Sequence, residues 1–387
     1  MTSQINDQVK NIEISGIRQF FNRVSEYPEA VQLTLGQPDF KTPEHIKEAA
    51  KKAIDDNDTV YTKNAGSDDV REAASNFLLK KYNLSYNPST EIITTIGASQ
   101  AIDITMRTIL RPGNEVIIPA PVYPAYAPLV KLCGAVPVLV DTRDTNFVIT
   151  PEKIRQNQND NTRAIILPYP SNPTGTVLTK EAARLLADYL RNENVTVISD
   201  EIYSELNYDQ EHVSIAQFEG MKDKTIVING LSKSHSMTGW RIGFAFGPEP
   251  IMNHMIKVHQ YNVSCASSIS QSAAVQALTA GIDDALEMKK VYEKRRDFIV
   301  NKLMEIGVDT VIPSGAFYVF PNIMKSNLSS FEFSLRLLKE EKLAVVPGDA
   351  FSEYGEGYVR LSYAYSMNEL EEAMKRFEHF WQKFPSN

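Results

Sequence analysis

"TIVINGLSKSHSMTGWRIGFAF", residues 225 to 246, places Ser232 and Lys233 between two short apolar runs, with Arg241 eight positions beyond the lysine. "TIVIN" (225 to 229) and "IGFAF" (242 to 246) are apolar without strict alternation, as strands buried on both faces must be. The same pattern recurs upstream in "EIITTI" (91 to 96), "EVIIP" (115 to 119), "AVPVLV" (135 to 140), "RAIILP" (163 to 168) and "VTVIS" (195 to 199). Helical patterns alternate with these runs, so the spacing predicts βαβ units: an α/β fold with a mostly parallel, seven-stranded sheet between helices.

At 387 residues the chain exceeds the length over which one core keeps growing, and two domains are expected. From Ile282 to Gly307 apolar residues recur among charged ones at helical spacing, a long amphipathic helix that links the two. Beyond it, "GAFYVF" (315 to 320), "YVRLSYA" (358 to 364) and two helical patterns make a smaller α+β unit. The expected boundaries are an N-terminal segment, 1–44, packing with the small domain; a large domain, 45–281; and the small domain, 282–387. A net charge of -8 without a basic cluster argues against nucleic acid, and no apolar run is long enough for a membrane span. "MTSQINDQVK" lacks the apolar core of a secretory signal, which suggests the cytoplasm. Cys133 and Cys265 form no metal-ligand pair and read as small buried residues, and no metal is expected.

Ligands of open α/β sheets bind at the carboxyl ends of the strands, so the residues after each run are the ones to read. After "EIITTI", Gly97, Ala98 and Ser99 open a helix whose free amides suit a phosphate, although ordinary strand-to-helix punctuation looks the same. After "RAIILP", "YPSNPTG" (169 to 175) is either a plain turn or a loop holding out Asn172. After "VTVIS" come Asp200, which could equally cap a helix, and Tyr203. Ser232, Lys233 and Arg241 follow "TIVIN". A phosphate cradle, an amide, a carboxylate with a phenol, and an amine together are what pyridoxal 5'-phosphate requires.

"YPSNPTG", "SDEIY", "LSKSHSMTGWRIG" and "GYVRLSYA", in this order, resemble the fold-type-I pyridoxal phosphate aminotransferases of class I and II, and "LGQPDF" and "YTKNAG" extend the likeness over nearly the whole chain. "IEISGIRQF", "INGLSKSHSMTGWRIGF" and "VHQYNVSCASSISQ" are most similar to bacterial N-acetyl-LL-diaminopimelate or aromatic aminotransferases. The resemblance implies an aspartate aminotransferase-like fold with Lys233 as the lysine that binds the cofactor, Asp200 as partner of its pyridine nitrogen, and Asn172 and Tyr203 as donors to its phenolic oxygen. Tyr123 would stack on the ring. Ala98, Ser99, Ser232 and Arg241 would hold the phosphate, joined by Tyr61 from a second subunit, so that a homodimer shares its active sites. Arg360 would grip the substrate carboxylate, with Gly36 and Asn172 beside it.

The pattern is broken at Gly230, where the family often has a phosphate-binding serine, and around Lys63, Asp68 and Asp69. The activity implied is ping-pong transfer of an amino group between an L-amino acid, glutamate first, and a 2-oxo acid, as in lysine biosynthesis. Aromatic or aspartate aminotransferase and a carbon-sulfur β-lyase are the alternatives. Ile14, Ile17, Phe20 and Tyr261 are expected to offer the side-chain pocket an apolar surface, with Arg18 and Lys63 as its candidate cations.

Overall fold

In the computed structural model, which describes residues 4–14 and 16–384 without the side chains of Arg18 and Gln19, the helices Asp7–Lys10 and Gly16–Val24 precede a two-residue strand, Val31–Gln32 (β1). The seven expected strands follow: Ile92–Thr95 (β2), Glu115–Ala120 (β3), Val136–Asp141 (β4), Thr162–Leu167 (β5), Thr196–Asp200 (β6), Thr225–Gly230 (β7) and Gly243–Phe246 (β8). They form one sheet in the order β2-β8-β7-β6-β5-β3-β4. Only β8 runs against its neighbours, pairing antiparallel with both β2 and β7. The reason lies in the connection: a short loop with no crossover helix returns the chain from β7, and a parallel pair needs such a crossover. The inner strands β6, β7 and β8 and the edge strand β2 are buried at every residue, as their continuous apolar runs require.

Helices cover both faces. Ala98–Ile109, Tyr126–Leu132 and Glu249–Val263 pack on one side through Ile102, Met106, Val130 and Met255. Asp68–Tyr82 and Ser268–Leu278 pack on the other through Phe77, Leu78 and Ala274, and Lys180–Leu190 through Leu186. The long amphipathic helix runs over Ala285–Glu305.

Beyond that helix, Tyr318–Val319 (β9), Leu343–Ala344 (β10), Val346–Pro347 (β11) and Val359–Ser362 (β12) appear, with helices Ser330–Glu341 and Met367–Trp381. Strands β11, β12 and β9 make an antiparallel sheet, and β10 pairs in parallel with β1 through Val31 opposite Leu343. The chain from 31 to 42 therefore starts on this C-terminal unit and then crosses to the seven-stranded sheet, where Thr42 Oγ1 donates to the carbonyl of Ser236. Among the described residues no helix is long and apolar enough to cross a membrane.

Candidate active site

A cavity of about 740 Å³ opens where the sheet's carboxyl ends meet the C-terminal unit. Its floor comes from the sheet. Lys233 follows β7, and its ammonium donates to the carbonyl of Gly36 at 2.5 Å above the rings of Tyr203 and Phe317. Burial, reinforced by the charges of Arg360 and Arg241, brings this amine down to about 8. Asp200 ends β6; its Oδ2 accepts from Tyr126 Oη at 2.7 Å and its Oδ1 from the amide of Ile202 at 3.2 Å. Burial pushes its carboxyl up to about 6, against those hydrogen bonds and the Lys233 charge.

Gly97 turns β2 into the next helix with φ +75, a conformation that favours glycine, and a methyl group there would stand 2.7 Å from Arg241 Nη2. No side chain caps this helix, so the amides of Ala98 and Ser99 in its first turn face the cavity beside the Arg241 guanidinium. Ser232 and Tyr123 also line it, and Tyr123 meets Tyr126 edge to face. Gly230, where the family often has a serine, leaves little room for one: a Cβ would lie 3.1 Å from Ile202 Cδ1 and 3.2 Å from Gly243 Cα, so these neighbours would have to give.

The roof comes from the C-terminal unit. Arg360 on β12 is 2% exposed; it donates through Nη1 to Asn172 Oδ1 at 3.0 Å and through Nη2 to the carbonyl of Thr34 at 2.6 Å. Its Nε has no partner among the described residues, a buried donor left for a ligand. The guanidinium stacks on Tyr318, whose hydroxyl lies 2.7 Å from that of Tyr203 and would be 2.9 Å from a methyl group at Gly36. Tyr126 and Tyr318 are contributors that the sequence expectations lack, although Tyr126 stands three residues after Tyr123 and Tyr318 lies within "GAFYVF".

Thus Lys233, Asp200, Tyr203, Asn172, Ala98, Ser99, Tyr123, Ser232, Arg241, Gly36 and Arg360 all converge on one cavity. Tyr61 does not: it is 86% exposed and outside the lining. The expected side-chain wall also needs correction. In the helix Gly16–Val24, Phe20 and Val24 turn toward Leu338 in the core, so Ile17 and Phe21, on a different face, meet the cavity with Ile12 and Leu35. Ile14 and Tyr261 are exposed and do not line it. Lys63 pairs with Asp68 at the surface, and the side chain of Arg18 lies outside the described residues.

The family described as aminotransferase class I and II has a model that matches residues 28–377. A Bacillus subtilis (strain 168) protein named probable N-acetyl-LL-diaminopimelate aminotransferase is 55% identical over 380 residues, which are 98% of this chain and 96% of that protein. An aspartate aminotransferase of Pyrococcus abyssi is 42% identical over 97% of both chains. The solved structure of an aromatic aminotransferase from Pyrococcus horikoshii OT3 superposes with a TM-score of 0.90 at 42% identity, over 94% of this chain and 99% of that one.

Proposed function

We propose, from the premise that this chain belongs to the class I and II aminotransferases, that it transfers an amino group from glutamate to a long acylated 2-oxo acid, N-acetyl-2-amino-6-oxopimelate. The donor set fits the cofactor of this family. A buried amine, a buried carboxylate, an uncapped helix start beside an arginine and a buried arginine with a spare donor match the carbonyl, ring nitrogen and phosphate of pyridoxal 5'-phosphate and the carboxylate of a substrate. When bound, the cofactor supplies the carbon that takes the amino group and a ring that withdraws the electron pair left on the substrate α-carbon.

In this reading Arg360 binds the α-carboxylate with a two-pronged grip that a lysine could not reproduce. The Lys233 amine, lowered by burial, takes the α-proton and delivers it to the other side of the transfer. Asp200 holds a proton on the ring nitrogen, and Tyr126 holds Asp200. Asn172 and Tyr203 orient the phenolic oxygen, Tyr123 stacks on the ring, and Ala98, Ser99, Ser232 and Arg241 seat the phosphate. Gly36 leaves room for the carboxylate beside Tyr318.

The observation that carries the substrate choice is the outer wall. Ile12, Ile17, Phe21 and Leu35 make it largely apolar, with Glu13 and Gln37 as polar lining residues, and the described cations of the cavity, Lys233, Arg241 and Arg360, are all engaged elsewhere. Among the described residues a second carboxylate finds no cation in this wall, so oxaloacetate gains nothing there, whereas bulk is accommodated and glutamate is admitted by a flexible rim. With glutamate as donor, kcat/KM is expected to be higher for N-acetyl-2-amino-6-oxopimelate than for phenylpyruvate or oxaloacetate. A preference for phenylpyruvate would make this an aromatic aminotransferase, a preference for oxaloacetate would overturn the wall argument, and oxo acid released without an acceptor would indicate a lyase.

The reading includes a homodimer in which the exposed Tyr61 reaches the phosphate of the second copy. Sedimentation at assay concentration should therefore give a dimer, and an active monomer would leave Tyr61 without this role.

A further inference from the structure

Thr34 and Gly36, two residues apart, both turn their carbonyls to the cations of the cavity. One accepts from Arg360 and the other from Lys233, so a single short segment serves both cations. Its near end is pinned to the C-terminal unit: the amide of Leu33 donates to the carbonyl of Ala344, and the amide of Ser362 donates to that of Leu33, each at 2.9 Å. From residue 34 to 42, among the described residues, no backbone-to-backbone hydrogen bond holds the chain. Side chains do so instead: the amide of Leu35 donates to Tyr365 Oη at 3.1 Å, and the far end is held through Asp39. Asp39 takes both prongs of Arg295, Nη1 to Oδ1 and Nη2 to Oδ2 at 2.9 Å each, and a third hydrogen bond from Tyr292 Oη at 3.1 Å.

Arg295 and Tyr292 stand three residues apart on one face of the helix Ala285–Glu305. Phe40 packs edge to face on Tyr292 and under the Arg295 guanidinium. The Arg295 side chain is 8% exposed and that of Asp39 29%, so this is not a solvated surface pair of little consequence. A planar fork on a carboxylate fixes orientation as well as distance. Tyr292 also packs on Phe317, whose ring lies beneath the Lys233 ammonium. The same helix face thus reaches Lys233 from the carbonyl side and from the aromatic side.

We propose that Arg295, Asp39 and Tyr292 clamp the segment 34–39 so that the Thr34 and Gly36 carbonyls are set against Arg360 and Lys233, which makes Arg295 and Asp39 positioning residues of the site. The inference rests on the reading of Lys233 and Arg360 as the functional cations. Without the clamp, the Gly36 carbonyl leaves the ammonium and the Thr34 carbonyl is held against the guanidinium only through its neighbours Leu33 and Leu35.

The test is the titration of Lys233 in the cofactor-free full chain, by competitive acetylation and mass spectrometry of its peptide across pH. A carbonyl acceptor favours the charged amine, so in Arg295→Gln and in Asp39→Asn the Lys233 midpoint should fall by about one pH unit, with Arg295→Lys in between. In the loaded enzyme the same variants should raise KM about tenfold for every amino acid tried, because Arg360 meets the group they share. A folded Arg295→Gln protein whose Lys233 titrates as in the wild type overturns the clamp. Should that variant not fold, Asp39→Asn, which preserves shape, decides by the same measurement. The acetylation readout needs no transfer activity. A wild type that titrates as expected but moves no amino group would sink the functional reading alone.

Discussion

Replacing Lys233 by alanine is expected to slow amino-group transfer by about 10⁴-fold, the upper end of what a positioned acid-base group contributes. The chain should still fold and retain the cofactor, because the phosphate seat at Ala98, Ser99, Ser232 and Arg241 does not involve the lysine. The size of the loss follows from the surroundings of the amine. It is buried, it faces two arginines, and its midpoint near 8 leaves a useful neutral fraction at physiological pH, which a surface lysine lacks. Among the described residues no other amine lines the cavity. Single-turnover transfer from glutamate, with borohydride fixing the cofactor to the Lys233 peptide in the wild type, measures the effect. A variant within tenfold of wild type, or label on another lysine, would remove Lys233 from its role.

Asp200→Asn should lower turnover by about a thousandfold, as the loss of a preorganised charge does, and should make the cofactor-free chain more stable at pH 7. The two effects have one cause. The folded carboxyl titrates near 6, above the unfolded value of about 3.9, so folding takes up a proton between these limits and stability falls as pH rises through that window. Two pH units correspond to about 3 kcal/mol, present in full above pH 6 and absent below about pH 4. Asparagine carries no charge; its oxygen can accept from the amide of Ile202 while its NH2 donates to the Tyr126 hydroxyl. Urea unfolding of the cofactor-free variant should therefore show its advantage at pH 7 and lose it near pH 4. A variant less stable than wild type at pH 7 would mean that the carboxylate is held for structure.

The sheet was legible because each of its strands is an apolar run of four to six residues, long enough to stand out between helical patterns. Strands β1, β10 and β11 were not, since two residues cannot display a period of two. Lys233, Asp200, Asn172 and Ser99 could be read because a strand end fixes where the next side chain sits. The N-terminal helix offered no such anchor. Which of Ile17, Phe20 and Phe21 faces the cavity depends on Leu338 and Ala344 packing against Phe20, contacts far away in sequence. Tyr126 and Tyr318 were visible as residues, but their partners, Asp200 and Tyr203, lie 74 and 115 positions away.

The parallel pairing of β1 with β10 also has a consequence in time. On a ribosome the chain emerges from its amino end, and Val31 cannot meet Leu343 until more than three hundred further residues have been made. By then β2 to β8 have all left the exit tunnel, carrying Asp200 and Lys233 with them. The segment bearing Thr34 and Gly36, although among the first to be synthesised, reaches its station only once Ala344 and Ser362 exist to hold Leu33. The site is therefore closed by an early part of the chain that has to wait, unpaired, for a late one.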